Sequence, residues 1–296
     1  MSDSDLYEGD PSSFRLAMCQ VETELWNVDA NLENTLQALD EAGAGKADLA
    51  LCPEGVFHGY APNHTTEERA RLYEIAETMD GPCMSRVRAK AVEHDMDIIV
   101  GLAERGTGGG TIHNSAAFVG RDGQIVNIYR KVHLRPFEDA TRQGGYTAGE
   151  CFEAASRSYG EENFTIGSMI CFDREIPESV RVLRAMGSQF IACPLATGTS
   201  NMSELRNRAD NEMITRCRAA ENEVFISVVS HAGRFNGGSF VVGPRGELMH
   251  QMGKDASVHI MDVPLGIVSE KYHSNPLGWM GWGFRRPAVY DPALKP

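Results

Sequence analysis

The sequence predicts an α/β fold in which two β-sheets pack face to face between outer helices. Apolar runs of strand length alternate along the chain with segments whose apolar residues recur at helical spacing. The order strand, helix, strand, helix, strand, strand occurs twice, before and after a polar stretch from about Arg135 to Gly149. Each half then has one sheet face to bury, and packing sheet on sheet with helices outside buries both. No linker-like stretch separates the halves, so residues 14–296 are expected to form one domain behind a loose polar arm, residues 1–13.

Arg15 to Val21 reads as a first buried strand. Asn27 to Ala42 follows as a helix with Leu32, Leu36 and Leu39 inward, Asp29 as its cap and Gly43 and Gly45 at its end. Ala47 to Cys52 is a second strand. Pro53 bars further ladder bonding, which leaves Glu54 in the loop beyond. Glu67 to Met79 and Pro82 to His94 read as helices parted by Asp80-Gly-Pro, and Asp97 to Ala103 as a strand. The glycines at 106 and 108–110 lack the Lys-Ser/Thr of a phosphate loop and read as a turn. His113 to Val119 and Gln124 to Arg130, joined through Asp122-Gly123, form a hairpin that ends at Lys131.

After the polar stretch, Cys151 to Ala155 and Phe164 to Ile170 read as strands leading to Cys171. Ile176, Val180, Leu183 and Met186 then mark a helix. Gln189 to Pro194 is a strand and Met202 to Ala220 a helix. Val224 to Val229, Gly238 to Val242, Glu247 to Gln251 and Val258 to Val263 complete the second set of strands. The tail from about Asn275 carries Trp279, Trp282, Phe284 and Tyr290. That aromatic density asks for cover, either at a subunit interface or by folding back on the core.

A net charge of -13 and a pI near 5.2 argue against nucleic acid or an anionic membrane as partner, since both need a positive face. No apolar run approaches membrane-spanning length. Seven cysteines without a C-x-x-C pair suit a reducing cytoplasm better than a disulfide framework or a zinc site. The acidic N-terminus lacks the apolar core of a targeting peptide. No H-E-x-x-H or carboxylate cluster calls for a metal, and no cofactor is expected.

Three strand ends carry chemistry: a carboxylate at Glu54, an ammonium at Lys131 and a thiol at Cys171. A free cysteine is more often a small buried hydrophobe than a nucleophile. Placed at a strand-to-helix corner, however, its sulfur can face a cleft beside backbone N–H groups that meet an anion. Nine histidines are present, and His58, His113 and His133 lie near these segments, yet none sits in a Cys–His signature, and His133 is expected to make a structural hydrogen bond.

Several short stretches, in this order, resemble the nitrilase superfamily of carbon–nitrogen hydrolases. They are Ala17-Met-Cys-Gln20, Pro53-Glu54, Tyr129-Arg-Lys131-Val-His-Leu, Cys171-Phe-Asp-Arg-Glu-Ile-Pro-Glu, Arg218-Ala-Ala-Glu-Asn222 and Gly237-Gly-Ser239, within a resemblance that runs from Phe14 to about Pro287. The resemblance implies a four-layer α-β-β-α sandwich and a Glu54–Lys131–Cys171 triad that cleaves a small amide or N-carbamoyl compound through a thioester. The backbone N–H of Phe172 would join Lys131 at the oxyanion. The resemblance also implies a second glutamate between lysine and cysteine. Glu138 has the spacing of one branch, with Asp139 and Glu150 as competitors, and an ordinary loop charge is the plain alternative. A homodimer or higher homo-oligomer is implied as well.

The nitrile-cleaving branch usually has Cys-Trp-Glu, so Cys171-Phe-Asp favours amide or carbamoyl substrates. Arg174 resembles the arginine that pairs with a substrate carboxylate in carbamoyl-amino-acid hydrolases, although Glu175 replaces their second arginine and a structural ion pair is equally expected. Phe57 and Tyr60, with Phe172, are candidate walls of an acyl pocket, although aromatic residues in such loops are more often packing, and Thr197 lies where the family shapes its pocket. A nitrilase, and from another class an inactive scaffold, remain the alternatives. A glutaminase serving a synthetase lacks its ATP-binding partner domain.

Overall fold

The computed structural model describes residues 13–61, 65–108, 110–160, 162–197, 209–268, 282 and 285–294. In chain order the first half contains β1 (Phe14–Gln20), α1 (Val28–Ala44), β2 (Leu49–Leu51), α2 (Thr66–Ile75), α3 (Pro82–His94), β3 (Asp97–Arg105), β4 (Ile112–Val119) and β5 (Ile125–Arg130). The second half contains β6 (Glu153–Tyr159), β7 (Glu162–Ser168), α4 (Pro177–Ala185), β8 (Phe190–Pro194), α5 (Ile214–Asn222), β9 (Phe225–Val229), β10 (Phe240–Val242), β11 (Leu248–Gln251), β12 (Ser257–Val263) and α6 (Pro287–Leu294).

These strands form two six-stranded mixed sheets, β12-β1-β2-β3-β4-β5 and β11-β10-β9-β8-β7-β6. The parallel centre of each, β1-β2-β3 and β7-β8-β9, is flanked by antiparallel strands. Alternation along β1 and β2 explains the layering. Phe14, Leu16, Met18, Leu49 and Leu51 enter the apolar cluster shared with the second sheet, while Ala17, Cys19, Ala50 and Cys52 join the cluster under α1 and α3. Both faces are covered, which is why these strands read as continuous apolar runs. Phe14 stacks on Tyr159 at 5.0 Å and meets Phe190 edge-on at 5.1 Å, joining the two sheets. The fully buried Asp97 at the head of β3 adds a polar link, accepting bonds from Arg157 Nε at 2.8 Å, Arg157 Nη2 at 2.6 Å and Tyr159 Oη at 3.0 Å.

The structure departs from the sequence reading in several places. The last strand, β12, leaves the second set and pairs antiparallel with β1, Phe14 opposite Val263 and Gln20 opposite Ser257. Strand length and pattern carry no partner information, so the exchange could not be read from them. Asn27, not Asp29, caps α1, its side chain accepting from Ala30 N–H at 3.3 Å. Gly43 lies within the helix and only Gly45 ends it. The strand expected from Cys151 starts at Glu153 and runs on to Tyr159, because its partner β7 begins at Glu162 and stops at Ser168. Residues 202–208 of the expected Met202–Ala220 helix lie outside the described residues. So do residues 1–12 of the expected arm and most of the aromatic tail, Trp279 and Phe284 included. No described helix is long and apolar enough to cross a membrane.

Candidate active site

Glu54 is delivered by the turn after β2. Leu51 ends the strand, Pro53 stops the ladder, and Gly55 takes a left-handed φ of 56° that starts the short helical turn Val56–His58. Gly101 of β3 lets that turn come close, since a Cβ there would stand 2.4 Å from Pro53 O and 2.7 Å from Glu54 Cα. Lys131 is the first residue past β5. Its N–H donates to Asn114 O at 2.8 Å and its carbonyl accepts from Gly149 N–H at 2.9 Å. Cys171 follows β7 after Met169 and Ile170 and opens a 3-10 turn, Cys171–Glu175. Its φ of 47° is left-handed, costly for a residue with a Cβ.

The side chains converge in a buried site. Lys131 Nζ donates to Glu54 Oε1 and to both oxygens of Glu138, each at 2.9 Å, and all three residues are at most 1% exposed. Asn114 Nδ2 on β4 reaches Glu54 Oε1 at 2.7 Å and Glu138 Oε1 at 3.2 Å. Glu138 also accepts from Tyr60 Oη at 2.8 Å and from Arg135 N–H at 2.8 Å. Glu54 Oε2 is buried and makes no hydrogen bond within the described residues. Cys171 is 4% exposed, with Sγ 4.0 Å from Thr197 Oγ1 and within the electrostatic reach of Glu54, Lys131 and Glu138.

Two carboxylates thus share one ammonium, and their surroundings separate them. Burial pushes the Glu54 carboxyl above the ordinary glutamate value, with the charge of Lys131 only partly offsetting it. Burial works on Glu138 in the same direction, but the Lys131 charge and the hydrogen bonds from Lys131, Arg135 and Tyr60 outweigh it and hold that carboxyl below the ordinary value. Lys131 stays protonated: burial opposes its charge, yet Glu54 and Glu138 raise it well above a free lysine. Burial first, then the charge of Glu54, pushes the Cys171 thiol up to about 12.

Of the competing loop carboxylates, Asp139 caps a turn through Thr141, and Glu150 is exposed. Tyr60 reaches the site, its ring 6.0 Å from Lys131 Nζ. Phe57 does not. It packs in the apolar layer between the first sheet and its helices, because the Val56–His58 turn directs it there. Phe172 lies under the Arg135 guanidinium, 4.6 Å from its ring centre. Arg174 is buried and donates to Asn211 Oδ1 at 2.8 Å. His58, His113 and His133 are bound to Tyr146 Oη, Thr147 O and Asp173 Oδ1 respectively, so each serves the framework.

Three supporting residues escaped the sequence reading. Asn114 lies in β4 between His113 and Ser115, a polar run that does not single it out. Asp173 lies two residues past the thiol and binds Tyr129, His133 and Ile170. His231 Nε2 contacts Glu54 O at 2.8 Å while Nδ1 meets Thr23 Oγ1 at 2.8 Å. The strand pattern carries no signal for that pair.

The fold and this constellation define a class, and comparison with known proteins agrees. The family model described as carbon-nitrogen hydrolase matches residues 15–271, and the chain belongs to that family. It is 27% identical over 241 residues to an (R)-stereoselective amidase of Pseudomonas sp, covering 79% of each chain. It is also 27% identical over 264 residues to a nitrilase of Pyrococcus abyssi, covering 87% of this chain and 92% of that protein. Among solved structures it shares a fold with a mutant of the amidase from Nesterenkonia sp. AN1 that carries acrylamide added at its active-site cysteine. The TM-score is 0.75 at 23% identity, over 95% of this chain and 100% of the other.

Proposed function

We propose that this chain hydrolyses small amides or N-carbamoyl compounds through a thioester on Cys171, without a cofactor. The observation that carries the reading is the buried contact of Lys131 Nζ with Glu54 Oε1 and both oxygens of Glu138, which leaves Glu54 Oε2 uncommitted, with the thiol of Cys171 within the electrostatic reach of Glu54.

Amides resist attack because resonance weakens the carbonyl and the amine leaves poorly; a covalent intermediate divides that barrier. Glu54 takes the thiol proton as Sγ bonds to the carbonyl carbon. A thiol pushed up to about 12 is not ionised beforehand, so proton transfer accompanies attack. The ammonium of Lys131 and the N–H of Phe172 stabilise the oxyanion, a contribution on the order of 3 kcal/mol for one good donor. Glu54 then returns the proton to nitrogen, the C–N bond breaks and ammonia or an amine departs. A water deprotonated by Glu54 attacks the thioester, which frees the acid and restores the thiol. Glu138 stays ionised throughout and fixes the lysine.

The similarity to an amidase supports this reading, as does Phe172-Asp173 in place of Trp-Glu. The similarity to a nitrilase keeps nitriles as the second reading. The buried bond of Arg174 to Asn211 supports a structural duty more than recognition of a substrate carboxylate. A cytoplasmic homo-oligomer fits the free cysteines and the exposure of Val182, Met186 and Met213 beside or on the packed helices α4 and α5. A screen of amides, N-carbamoyl acids and nitriles for ammonia release tests the reading. Turnover of amides is expected, and turnover of nitriles alone contradicts it.

A further inference from the structure

The loop after β9 reaches across from the second sheet to the turn that carries Glu54 and grips it at both ends. Arg234 donates from Nη1 to Gly59 O at 3.0 Å and from Nη2 to Tyr60 O at 3.2 Å, while His231 Nε2 lies 2.8 Å from Glu54 O. His231 is fully buried, its ring centre 5.0 Å from that of Phe235, and the N–H of the next residue, Ala232, donates to Val21 O at 2.9 Å.

The two ring nitrogens fix one tautomer. Glu54 O can only accept, so Nε2 carries the proton, and Nδ1 then accepts from the Thr23 hydroxyl at 2.8 Å. Burial, only partly offset by the bond to Glu54, pushes the imidazole down to about 4, so the ring is neutral at pH 7. The bond falls on the peptide between Glu54 and Gly55. Glycine accepts many backbone angles, so the left-handed φ of 56° at Gly55 does not by itself hold that peptide plane. Movement of the plane is passed to the Glu54 Cα, and the carboxylate at the end of the side chain is displaced with it.

Resting on the amide-hydrolase reading above, we propose that His231 is a positioning residue for the general base: its Nε2–H, oriented by Thr23, clamps the main chain of Glu54 from the half of the molecule that carries the thiol. Lys131 and Asn114 hold the carboxylate end of Glu54 through Oε1, and His231 holds the backbone end. Glu54 follows β2 of the first sheet and Cys171 follows β7 of the second, so a bond between the halves is what keeps base and nucleophile in one relative geometry. An error of about 1 Å in such a geometry costs on the order of 10²-fold in rate.

The experiment compares wild type, His231→Leu, His231→Gln and Thr23→Val. It measures kcat and KM by ammonia release from acetamide, butanamide and hexanamide, folding by urea melts, and the rate at which iodoacetamide alkylates Cys171, a reaction that uses the base but needs no substrate. Leucine keeps bulk and loses both nitrogens, whereas glutamine keeps an N–H donor at the reach of Nε2. His231→Leu is expected to lower kcat and the alkylation rate about 10–100-fold with KM within about threefold of wild type. His231→Gln is expected to bring both rates back to within about threefold of wild type, and Thr23→Val to lower both about threefold to tenfold. A purely structural duty would move stability and activity together, without that split between kcat and KM and without rescue by glutamine. The proposal is overturned if folded His231→Leu keeps both rates within about twofold of wild type, if its loss lies in KM alone, or if His231→Gln is as slow as His231→Leu. Should His231→Leu not fold, Thr23→Val decides: a loss of at least about threefold in both rates supports the proposal and a smaller one overturns it. A wild type that releases ammonia from none of these amides removes the hydrolase reading, and the alkylation rates then decide the role of His231 by the same criteria.

Discussion

Asp173, two residues past Cys171, accepts a 2.6 Å hydrogen bond from the hydroxyl of Tyr129, two residues before Lys131. Its carboxylate also takes the N–H of His133 at 2.9 Å and of Ile170 at 3.0 Å. One buried side chain thus ties the turn that carries the thiol to the strand end that carries the ammonium. Asp173→Asn turns one acceptor oxygen into a donor facing other donors. It is expected to cost about 2–3 kcal/mol of stability and to slow acylation. Tyr129→Phe removes one bond and is expected to cost about 1 kcal/mol. Urea melts with single-turnover rates check both, and an Asp173→Asn variant unchanged in both measurements contradicts the coupling.

The two site carboxylates should respond oppositely to neutralisation. Folding raises the Glu54 carboxyl, so the stability it contributes is full below its unfolded value, near 4.5, and is lost as pH rises through the folded one. Folding lowers Glu138, so its contribution is present above about 4.5 and lost as pH falls through its depressed folded value. At pH 7, Glu54→Gln is expected to abolish turnover without loss of Tm. Glu138→Gln is expected to lose on the order of 1–3 kcal/mol, a deficit that narrows in acid. Equal destabilisation by both substitutions at pH 7 argues against the assignment.

The same asymmetry sets the pH profile. Glu54 must be ionised to accept the thiol proton, so kcat/KM should rise with pH through an apparent pKa above the ordinary 4.5 of glutamate. With the thiol at about 12, roughly one Cys171 in 10⁵ is thiolate at pH 7, and reaction with iodoacetamide should depend on Glu54. An acid limb at or below 4.5, or alkylation as fast in Glu54→Gln as in wild type, contradicts this.

Lys131→Ala is expected to lower the single-turnover acylation rate by about 10²–10³, with a smaller effect on substrate binding. It also leaves Glu54 and Glu138 facing each other without a cation, and a loss of about 3–5 kcal/mol in stability should accompany it. Rapid-quench kinetics on folded variant check the rate, and an unchanged acylation rate removes Lys131 from the oxyanion.

What was legible in the sequence was local. Glu54 after Pro53, Lys131 at the end of a hairpin and Cys171 before a helical run each follow from where an apolar strand stops. The partner of β12 was not legible, because an alternating strand fits the edge of either sheet until tertiary packing chooses. Phe57 read as a pocket wall through its nearness to Glu54, but the short turn Val56–His58 sends it to the opposite layer. Asn114 and Asp173 act through bonds to residues 24 to 60 positions away, and no spacing rule covers contacts of that kind.

The central claim is that Cys171 Sγ carries the acyl group. Wild-type protein quenched during turnover of an amide and analysed by intact mass and peptide mapping should show one acyl increment on the peptide containing Cys171. Folded Cys171→Ala should show neither that increment nor ammonia release. Acyl mass on another residue, or turnover retained by Cys171→Ala, contradicts the account.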